Sequence, residues 1–383
     1  MKHNEPVEDI TFNLHKFTDQ TRPDPKDVVI FPMFSEFGSE MVGVLYCIPQ
    51  LIREKYPGKY VIIMGWYGRP YLYKHLADEF WEVQPQHQWM RTHCLAFHHN
   101  SSNLKRTERR AKKHGYVVGM DELGAVFGFL PIRECMIPTC KGEVRSDIVT
   151  GCQICMKCGH KYPKPGLTQN IYKAKQSAVW VPDPSAEKVE HVRKFLKPRS
   201  VGVTARNRTT YGRNLPPIYY ERLLCMLADM GYNPVWIGER ATSLDCPCPW
   251  VTNFSVAEES ADLEMTLALT KQLDFTVQFW TASTRLAGLV GTPFILFESP
   301  DQIWGQGQEG YRMNLCSKGP HKLVIAHFNR VKEDQTTALD LVHRAVRDVE
   351  CGDYRDIVGM VENPAHVGQM RLQNVTRVGG TYV

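Results

Sequence analysis

The most informative stretch for the fold is Ser200-Val-Gly-Val-Thr-Ala-Arg-Asn-Arg-Thr-Thr-Tyr-Gly-Arg-Asn214. Its first six residues have the apolar, β-branched character of a strand, and the rest is a loop that contains three arginines. An amphipathic helix is predicted over residues 217–230 and a second strand over residues 234–238. Strand, loop, helix and strand in this order predict a βαβ unit, whose parallel sheet holds ligands at the carboxyl ends of its strands.

The arginines of this loop are Arg206, Arg208 and Arg213. A guanidinium group stays charged and donates two parallel hydrogen bonds to phosphate oxygens, so it suits phosphate binding. Surface ion pairing is the alternative. Three cations in one loop beside Gly212 favour a phosphate site.

The first half of the chain repeats this order. Strands are predicted over residues 28–31 and 60–64, with helices over 41–56 and 71–80. The predicted fold class is therefore α/β, with two Rossmann-like domains that face a cleft. We place the domains at 1–180 and 181–350, with a Cys-rich insert at 131–165 in the first domain and a tail at 351–383.

Composition excludes several classes of protein. The chain has 383 residues, of which 43% are hydrophobic and 23% charged, with a net charge of +5. These values are typical of a globular protein, and no apolar run is long enough to predict a membrane span. The residues after Met1 lack the apolar stretch of a signal peptide, so a cytoplasmic location is expected. The basic run from Lys105 to His114 indicates either a polyanion-binding surface or a solvated helix.

Three segments of the second half resemble the nucleotide-sugar domain of GT-B glycosyltransferases. The strand and basic loop at 202–216 resemble the His-x-Arg-Arg region of fucosyltransferase-like enzymes, and Gly231-Tyr-Asn-Pro-Val-Trp-Ile-Gly-Glu239 resembles the next strand and its glycine, Gly238. Thr281-Ala-Ser-Thr-Arg-Leu-Ala-Gly-Leu-Val-Gly-Thr-Pro293 is similar to the Ser/Thr-rich turn, helix and strand of heptosyltransferase-like enzymes. The resemblance implies that this half binds a nucleoside-diphosphate sugar.

Further donor contacts are predicted beyond the arginines. Ser283 and Thr284 open a helix, where amides and hydroxyls can meet a phosphate, although ordinary N-capping explains them equally well. Glu298 ends a predicted strand, where a carboxylate can accept hydrogen bonds from ribose hydroxyls, and Asp301 competes for this role. The sequence contains no Asp-x-Asp, so no metal-bridged diphosphate is implied.

Glu36 and Glu40 are the candidate catalytic bases. Both follow the first strand. The segment Phe37-Gly-Ser-Glu-Met-Val-Gly-Val-Leu-Tyr-Cys-Ile-Pro-Gln-Leu51, which contains Glu40, resembles the loop and helix after the first strand in these enzymes, where an acidic residue is often the catalytic base. A base would accept the proton of the acceptor hydroxyl. The alternative is an acid that favours a helix start, and Glu40 matches the resemblance better.

The insert contains a cluster of cysteines with metal-ligand spacing: Cys135, Cys140, Cys152, Cys155 and Cys158. Two overlapping Cys-x-x-Cys steps predict a structural Zn²⁺, which would supply folding free energy that a short loop lacks. An iron–sulfur cluster and unliganded thiols remain alternatives.

The sequence therefore predicts a metal-independent glycosyltransferase that moves a sugar from a nucleoside-diphosphate sugar to a hydroxyl. Viral enzymes that glycosylate hydroxymethylated DNA bases share the implied fold, so DNA is one candidate acceptor. A lipid-linked or cell-surface glycan is the alternative acceptor. A non-catalytic, zinc-containing nucleic-acid-binding protein is the alternative of another class.

Overall fold

The computed structural model describes residues 9–34, 48–49, 52, 55–87, 102–119, 139–140, 142–146, 153–159, 161–162, 181–205, 214–238, 243–279, 284–298 and 319–360. The chain divides into two compact units, Met1–Pro182 and Asp183–Val383. Each unit is described here by itself.

The N-terminal unit is built on a sheet of five strands. They are β1 (Phe12–Lys16), β2 (Val28–Met33), β3 (Tyr60–Gly65), β4 (Glu79–Val83) and β5 (Tyr116–Val117). The order across the sheet is β1-β4-β3-β2-β5, and only β1 is antiparallel to its neighbour. Two described helices accompany it, α1 (Pro70–Tyr73) and α2 (Ser102–Ala111). Strands β2, β3 and β4 are buried along their whole length, as expected of a sheet covered on both faces.

The helix predicted over residues 71–80 is wrong in its second half. The structure ends α1 at Tyr73 and starts β4 at Glu79. Both glutamates of Glu79-Phe-Trp-Glu-Val83 are buried in this strand. Arg22 pairs with Glu79 and His15 pairs with Glu82, at 2.9 Å between His15 Nε2 and Glu82 Oε2. These partners lie more than fifty residues away in sequence, so local pattern could not predict them.

A separate small sheet lies within the Cys-rich insert. Its antiparallel strands are β6 (Val144–Ser146), β7 (Gln153–Cys155) and β8 (Lys161–Tyr162), paired in the order β6-β7-β8. Strands of two or three residues bury little apolar surface, so this sheet needs stabilisation from outside its own core.

The C-terminal unit is built on seven parallel strands. They are β9 (Ser200–Thr204), β10 (Asn233–Ile237), β11 (Thr252–Asn253), β12 (Phe275–Phe279), β13 (Phe294–Glu298), β14 (His321–Ile325) and β15 (Ile357–Val358). The described helices are α3 (Ala186–His191), α4 (Pro217–Asp229), α5 (Leu263–Lys271), α6 (Thr284–Val290), α7 (Phe328–Glu333) and α8 (Gln335–Glu350). The order across the sheet is β11-β10-β9-β12-β13-β14-β15.

Helices cover both faces of this sheet. On one face, α4 and α8 pack over the alternate strand residues that include Val203, Val277 and Phe297. On the other face, Ala268 and Leu269 of α5 pack over Val235 and Ile237 of β10. The Asp262 side chain caps α5 by accepting from the backbone N–H of Glu264 at 2.8 Å, so this helix starts where the sequence predicted.

Both units therefore have helices and a largely parallel sheet, and the predicted α/β class is confirmed. Within the described part of the chain, no helix has the length and apolar character to cross a bilayer.

Candidate functional site

The strand order of the C-terminal unit creates a switch point between β9 and β12. From β9 the chain adds β10 and β11 on one side, and it then returns to add β12 on the other side. Residues Val203 and Val277 face each other across this junction. In open parallel sheets, the loops that leave such neighbouring strands run in opposite directions and open a crevice for ligands at the carboxyl edge.

The predicted phosphate-binding segments follow the two strands of this junction. The stretch with Arg206, Arg208 and Arg213 begins after Ala205, directly beyond β9, and Ser283 precedes α6, which follows β12. These four residues lie outside the described part of the chain. Thr284 is the first residue of α6, and its side chain is likewise outside the description. The fold thus brings the starting points of the two segments to neighbouring strand ends.

Two buried polar side chains lie at the same junction and were missed by the sequence analysis. Thr204 and Gln278 are directly opposite each other in the β9–β12 register, with exposures of 3% and 1%. The Gln278 amide donates to Thr276 Oγ1 at 2.7 Å. Within the described residues, Thr204 Oγ1 and Gln278 Oε1 have no hydrogen-bond partner. A buried acceptor without a partner costs about 1–3 kcal/mol, so it requires an explanation such as a ligand or a water molecule.

A sequence signal for these residues existed. Strands buried on both faces are near-continuous apolar runs, whereas Phe275-Thr-Val-Gln-Phe279 places polar residues at alternate positions. One face of this strand is therefore polar where an apolar face was expected. The assignment of residues 275–279 as a strand did not by itself reveal this polar face.

Glu298 and Gly238 end the strands on either side of this junction. Glu298 is the last residue of β13, is 7% exposed, and lies on the same face as Leu296, which is opposite Gln278. Gly238 follows β10, and a Cβ atom there would lie 1.8 Å from Ser243 Oγ and 2.8 Å from Ser243 Cβ. The close approach of Ser243 explains this glycine without a ligand.

Tyr219 adds a third unpartnered polar group near the junction. It lies in the first turn of α4, is fully buried, and packs edge-on against Phe279, with ring centroids 5.4 Å apart. Its hydroxyl has no hydrogen-bond partner among the described residues, and burial raises the pKa of Tyr219 well above its ordinary value. Phe279 ends β12, so this hydroxyl belongs to the same region on the opposite face of the sheet.

The N-terminal sheet has a switch point of its own. The chain adds β3 and β4 on one side of β2 and then returns to place β5 on the other side, where Ile30 faces Val117. The segment with Glu36 and Glu40 follows β2 and Phe34, so it starts at the carboxyl edge beside this junction. Both glutamates lie outside the described residues.

The Cys-rich insert brings three of its five predicted ligands together. The Sγ atoms of Cys140, Cys155 and Cys158 all lie within 4.8 Å of one another. The backbone N–H of Cys158 donates to Cys155 Sγ at 3.5 Å, and this bond contributes most to lowering the pKa of Cys155 to about 6. Cys135 and Cys152 lie outside the described residues. A thiolate-favouring group of this kind could hold a metal ion.

The basic run is partly neutralised. Arg106 and Arg110 of α2 pair with Asp9 at 3.2 and 2.7 Å, whereas Lys105 and Arg109 are exposed. His114, at the end of the run, packs edge-on against Trp81 with ring centroids 5.3 Å apart, and its pKa is lowered by burial. These contacts favour the interpretation of α2 as a solvated helix.

Solved structures of glycosyltransferases are similar to this chain over most of its length. A glycosyl transferase family 9 protein from Veillonella parvula matches at 11% identity and a TM-score of 0.46, covering 86% of this chain and 97% of that one. E. coli ADP-heptose LPS heptosyltransferase II matches at 12% identity and a TM-score of 0.47, covering 84% and 99%. E. coli heptosyltransferase WaaC with ADP matches at 12% identity and 0.42, with the same coverage.

All three belong to the enzyme class that the sequence resemblance implied. No protein-family model and no curated protein matches the chain. Similarities at these TM-scores carry no inference about a donor, an acceptor or a catalytic residue.

Proposed function

We propose that this chain is a glycosyltransferase whose C-terminal unit binds a nucleoside-diphosphate sugar at the carboxyl edge of the seven-stranded sheet. The observation that carries the proposal is the β9–β12 switch point, from which the arginine-containing and Ser/Thr-containing segments both start. Thr204 Oγ1 and Gln278 Oε1 support it, because both are buried at the strand ends beside that crevice and neither has a hydrogen-bond partner among the described residues.

The donor's charge is matched by the composition of these segments. Arg206, Arg208 and Arg213 bind the pyrophosphate and offset the negative charge that builds on it as the sugar leaves. Ser283 and Thr284 donate to the same phosphates from the start of α6. Glu298, at the end of β13, accepts hydrogen bonds from the ribose hydroxyls. Guanidinium groups neutralise the leaving group in place of a divalent metal, so added Mg²⁺ or Mn²⁺ leaves the rate unchanged.

The proposed reaction transfers the sugar from the pyrophosphate of the donor to a hydroxyl of the acceptor. An acceptor oxygen bonds to the anomeric carbon while the bond from that carbon to the pyrophosphate oxygen breaks, and the nucleoside diphosphate leaves with the electron pair. The proton of the acceptor hydroxyl passes to Glu40, with Glu36 as the alternative base. Glu40→Gln therefore keeps donor binding and loses turnover, and an active Glu40→Gln variant would transfer the role to Glu36 or reject both.

The acceptor is a hydroxyl on a larger molecule. A hydroxymethylated base in DNA and a lipid-linked or cell-surface glycan are the two candidates. Asp9 pairs with both Arg106 and Arg110, so its single negative charge offsets part of the positive charge of the surface that DNA would contact. Transfer assays with both acceptor types, using the donor found below, distinguish them.

The experiment that tests donor binding is a thermal-shift panel with UDP, GDP, ADP, CDP and their sugars. A ligand at a hundred times its Kd stabilises the folded state by about 2.7 kcal/mol. At least one nucleotide should raise the Tm of the chain, and Arg208→Ala should abolish that rise. The matched control is Arg193→Ala, because Arg193 is an exposed arginine of the same unit that pairs only with Glu190 among the described residues.

The rival of another class makes the opposite prediction in the same experiment. A non-catalytic nucleic-acid-binding protein is stabilised by duplex DNA in a strongly salt-dependent way and by no nucleotide. That combination would reject the glycosyltransferase proposal. Equal Tm shifts for the Arg208→Ala and Arg193→Ala variants would reject the arginine site and leave the donor elsewhere.

A further inference from the structure

The thiols of the Cys-rich insert form a cluster that glycosyl transfer does not require. Cys140 precedes β6, Cys155 ends β7, and Cys158 follows in the turn after β7. We infer that Cys140, Cys155 and Cys158 are three ligands of one structural Zn²⁺. Cys135 or Cys152, which both lie outside the described residues, supplies the fourth thiolate.

The sulfur spacing agrees with a shared ion. Two sulfurs at about 2.3 Å from a tetrahedral zinc lie roughly 3.8 Å apart. Cys140 Sγ and Cys155 Sγ are 3.5 Å apart, and all three sulfurs lie within 4.8 Å of one another. A disulfide requires about 2.05 Å between sulfurs, so this pair is not bonded covalently.

The backbone around the thiols is shaped for close approach to them. A Cβ atom at Gly142 would lie 2.8 Å from Cys155 Sγ and 2.5 Å from Lys157 Cβ, so only glycine fits beside this sulfur. Gly159, directly after Cys158, has a φ of 70°, which favours glycine. The backbone N–H of Cys158 donates to Cys155 Sγ, an arrangement that stabilises a thiolate ligand.

Charge near the cluster also favours a thiolate centre. Four thiolates around one Zn²⁺ carry a net charge of −2, which a neighbouring cation offsets. Lys157 lies between Cys155 and Cys158 in sequence, and its Nζ donates to the carbonyl oxygen of Cys140 at 3.1 Å. The ammonium group is therefore held against the segment that carries the first thiol.

The small sheet gives the metal a role. Strands β6, β7 and β8 have three, three and two residues, too few to form a hydrophobic core by themselves. A zinc ion that joins the segment before β6 to the turn after β7 supplies the missing folding free energy.

Elemental analysis of the purified full chain tests this inference. The expected result is one zinc per chain, with no iron and no acid-labile sulfide. Cys140→Ser and Cys155→Ser should each weaken zinc affinity at least tenfold in competition with a chromogenic chelator. Cys351→Ser, which removes an exposed cysteine of the other unit, should retain the affinity of the unmodified protein.

A measurement on the metal bound to the unmodified chain does not depend on whether the variants fold. Reconstitution of the unmodified chain with Co²⁺ should give the intense visible absorption of a tetrahedral thiolate site, and excess Zn²⁺ should remove it. A chain with no bound metal, or one with iron and sulfide, would overturn the zinc site. Full zinc affinity in both Cys140→Ser and Cys155→Ser would overturn the assignment of these thiols as ligands.

Discussion

Replacing Gln278 with methionine separates a structural role of this residue from a ligand-binding role. Methionine has the length and unbranched shape of glutamine but no polar group that needs a partner. Gln278 is 1% exposed, its Nε2 donates to Thr276 Oγ1 at 2.7 Å, and its Oε1 has no partner among the described residues. The substitution therefore removes one satisfied group and one unsatisfied group.

The two effects on the free energy of unfolding have opposite signs. Loss of the hydrogen bond leaves the buried Thr276 Oγ1 without its donor and costs about 1–3 kcal/mol, whereas removal of the unsatisfied acceptor contributes about 1–3 kcal/mol. The two effects offset each other, so the expected net change is below about 1 kcal/mol. For a unit of 150–250 residues, which includes Asp183–Val383, a change of that size shifts the Tm by no more than about 4 °C.

The control is the same substitution at Gln272, whose amide is satisfied. Gln272 Nε2 donates to the carbonyl oxygens of Val189 at 2.8 Å and Ala268 at 3.2 Å. Gln272→Met should lower the Tm, because both bonds are lost and no orphaned acceptor is removed. It follows α5 and precedes β12, at the amino edge of the sheet, so it should leave any nucleotide-induced Tm shift unchanged.

Thermal melts with and without the stabilising nucleotide give both readouts. Without ligand, Gln278→Met should melt within about 4 °C of the unmodified chain, and it should lose most of the ligand-induced shift. If Gln278→Met melts more than about 4 °C lower, the Gln278 acceptor has a partner, such as a bound water, and the estimate above is refuted. A full ligand-induced shift in that variant would remove Gln278 from the proposed donor site.

Three further predictions concern charges that the fold holds in place. Lys322 is buried, pairs with Asp348 at 2.8 Å and donates to the carbonyl oxygens of Asp353 and Arg355. Lys322→Met should therefore lower the free energy of unfolding by about 3 kcal/mol in urea titrations. A loss under about 1 kcal/mol would contradict this. Arg22 pairs with the fully buried Glu79, so Arg22→Ala should cost about 3–5 kcal/mol by the same measurement, whereas Arg193→Ala, which removes an exposed arginine, should cost little. Lys194 and then His191 lower the pKa of Glu259 from its ordinary 4.5 to about 2. The stability that Glu259 contributes is therefore complete above pH 4.5 and is lost as the pH falls toward 2. The Tm difference between the unmodified chain and Glu259→Gln should shrink from about pH 7 to about pH 3. A Tm difference that stays constant over this range would contradict the prediction.

Much of the fold was predictable because its signals are local. The strand and helix of β9 and α4, the Asp262 cap of α5, and the alternation of strands and helices all follow from residues near one another in sequence. Strands β1 and β4 escaped prediction, and β4 begins inside the helix predicted over residues 71–80. Arg22 and His15 make the buried glutamates of β4 tolerable in the core, and such pairing is set by contacts between distant segments.

The composition of the chain by itself determined which side chains are available: three arginines after one strand, hydroxyls before a helix, glutamates after the first strand, and cysteines in the insert. Only the tertiary structure decided which of these segments start side by side. The pairing of β12 with β9 brings together strand ends more than seventy residues apart and places Thr204 opposite Gln278. Among the described residues, Thr204 Oγ1 and Gln278 Oε1 have no hydrogen-bond partner. The same holds for Cys140, which joins Cys155 and Cys158 across the small sheet. Sequence patterns report periodicity along the chain, whereas strand order and burial depend on the free energy of packing the whole unit.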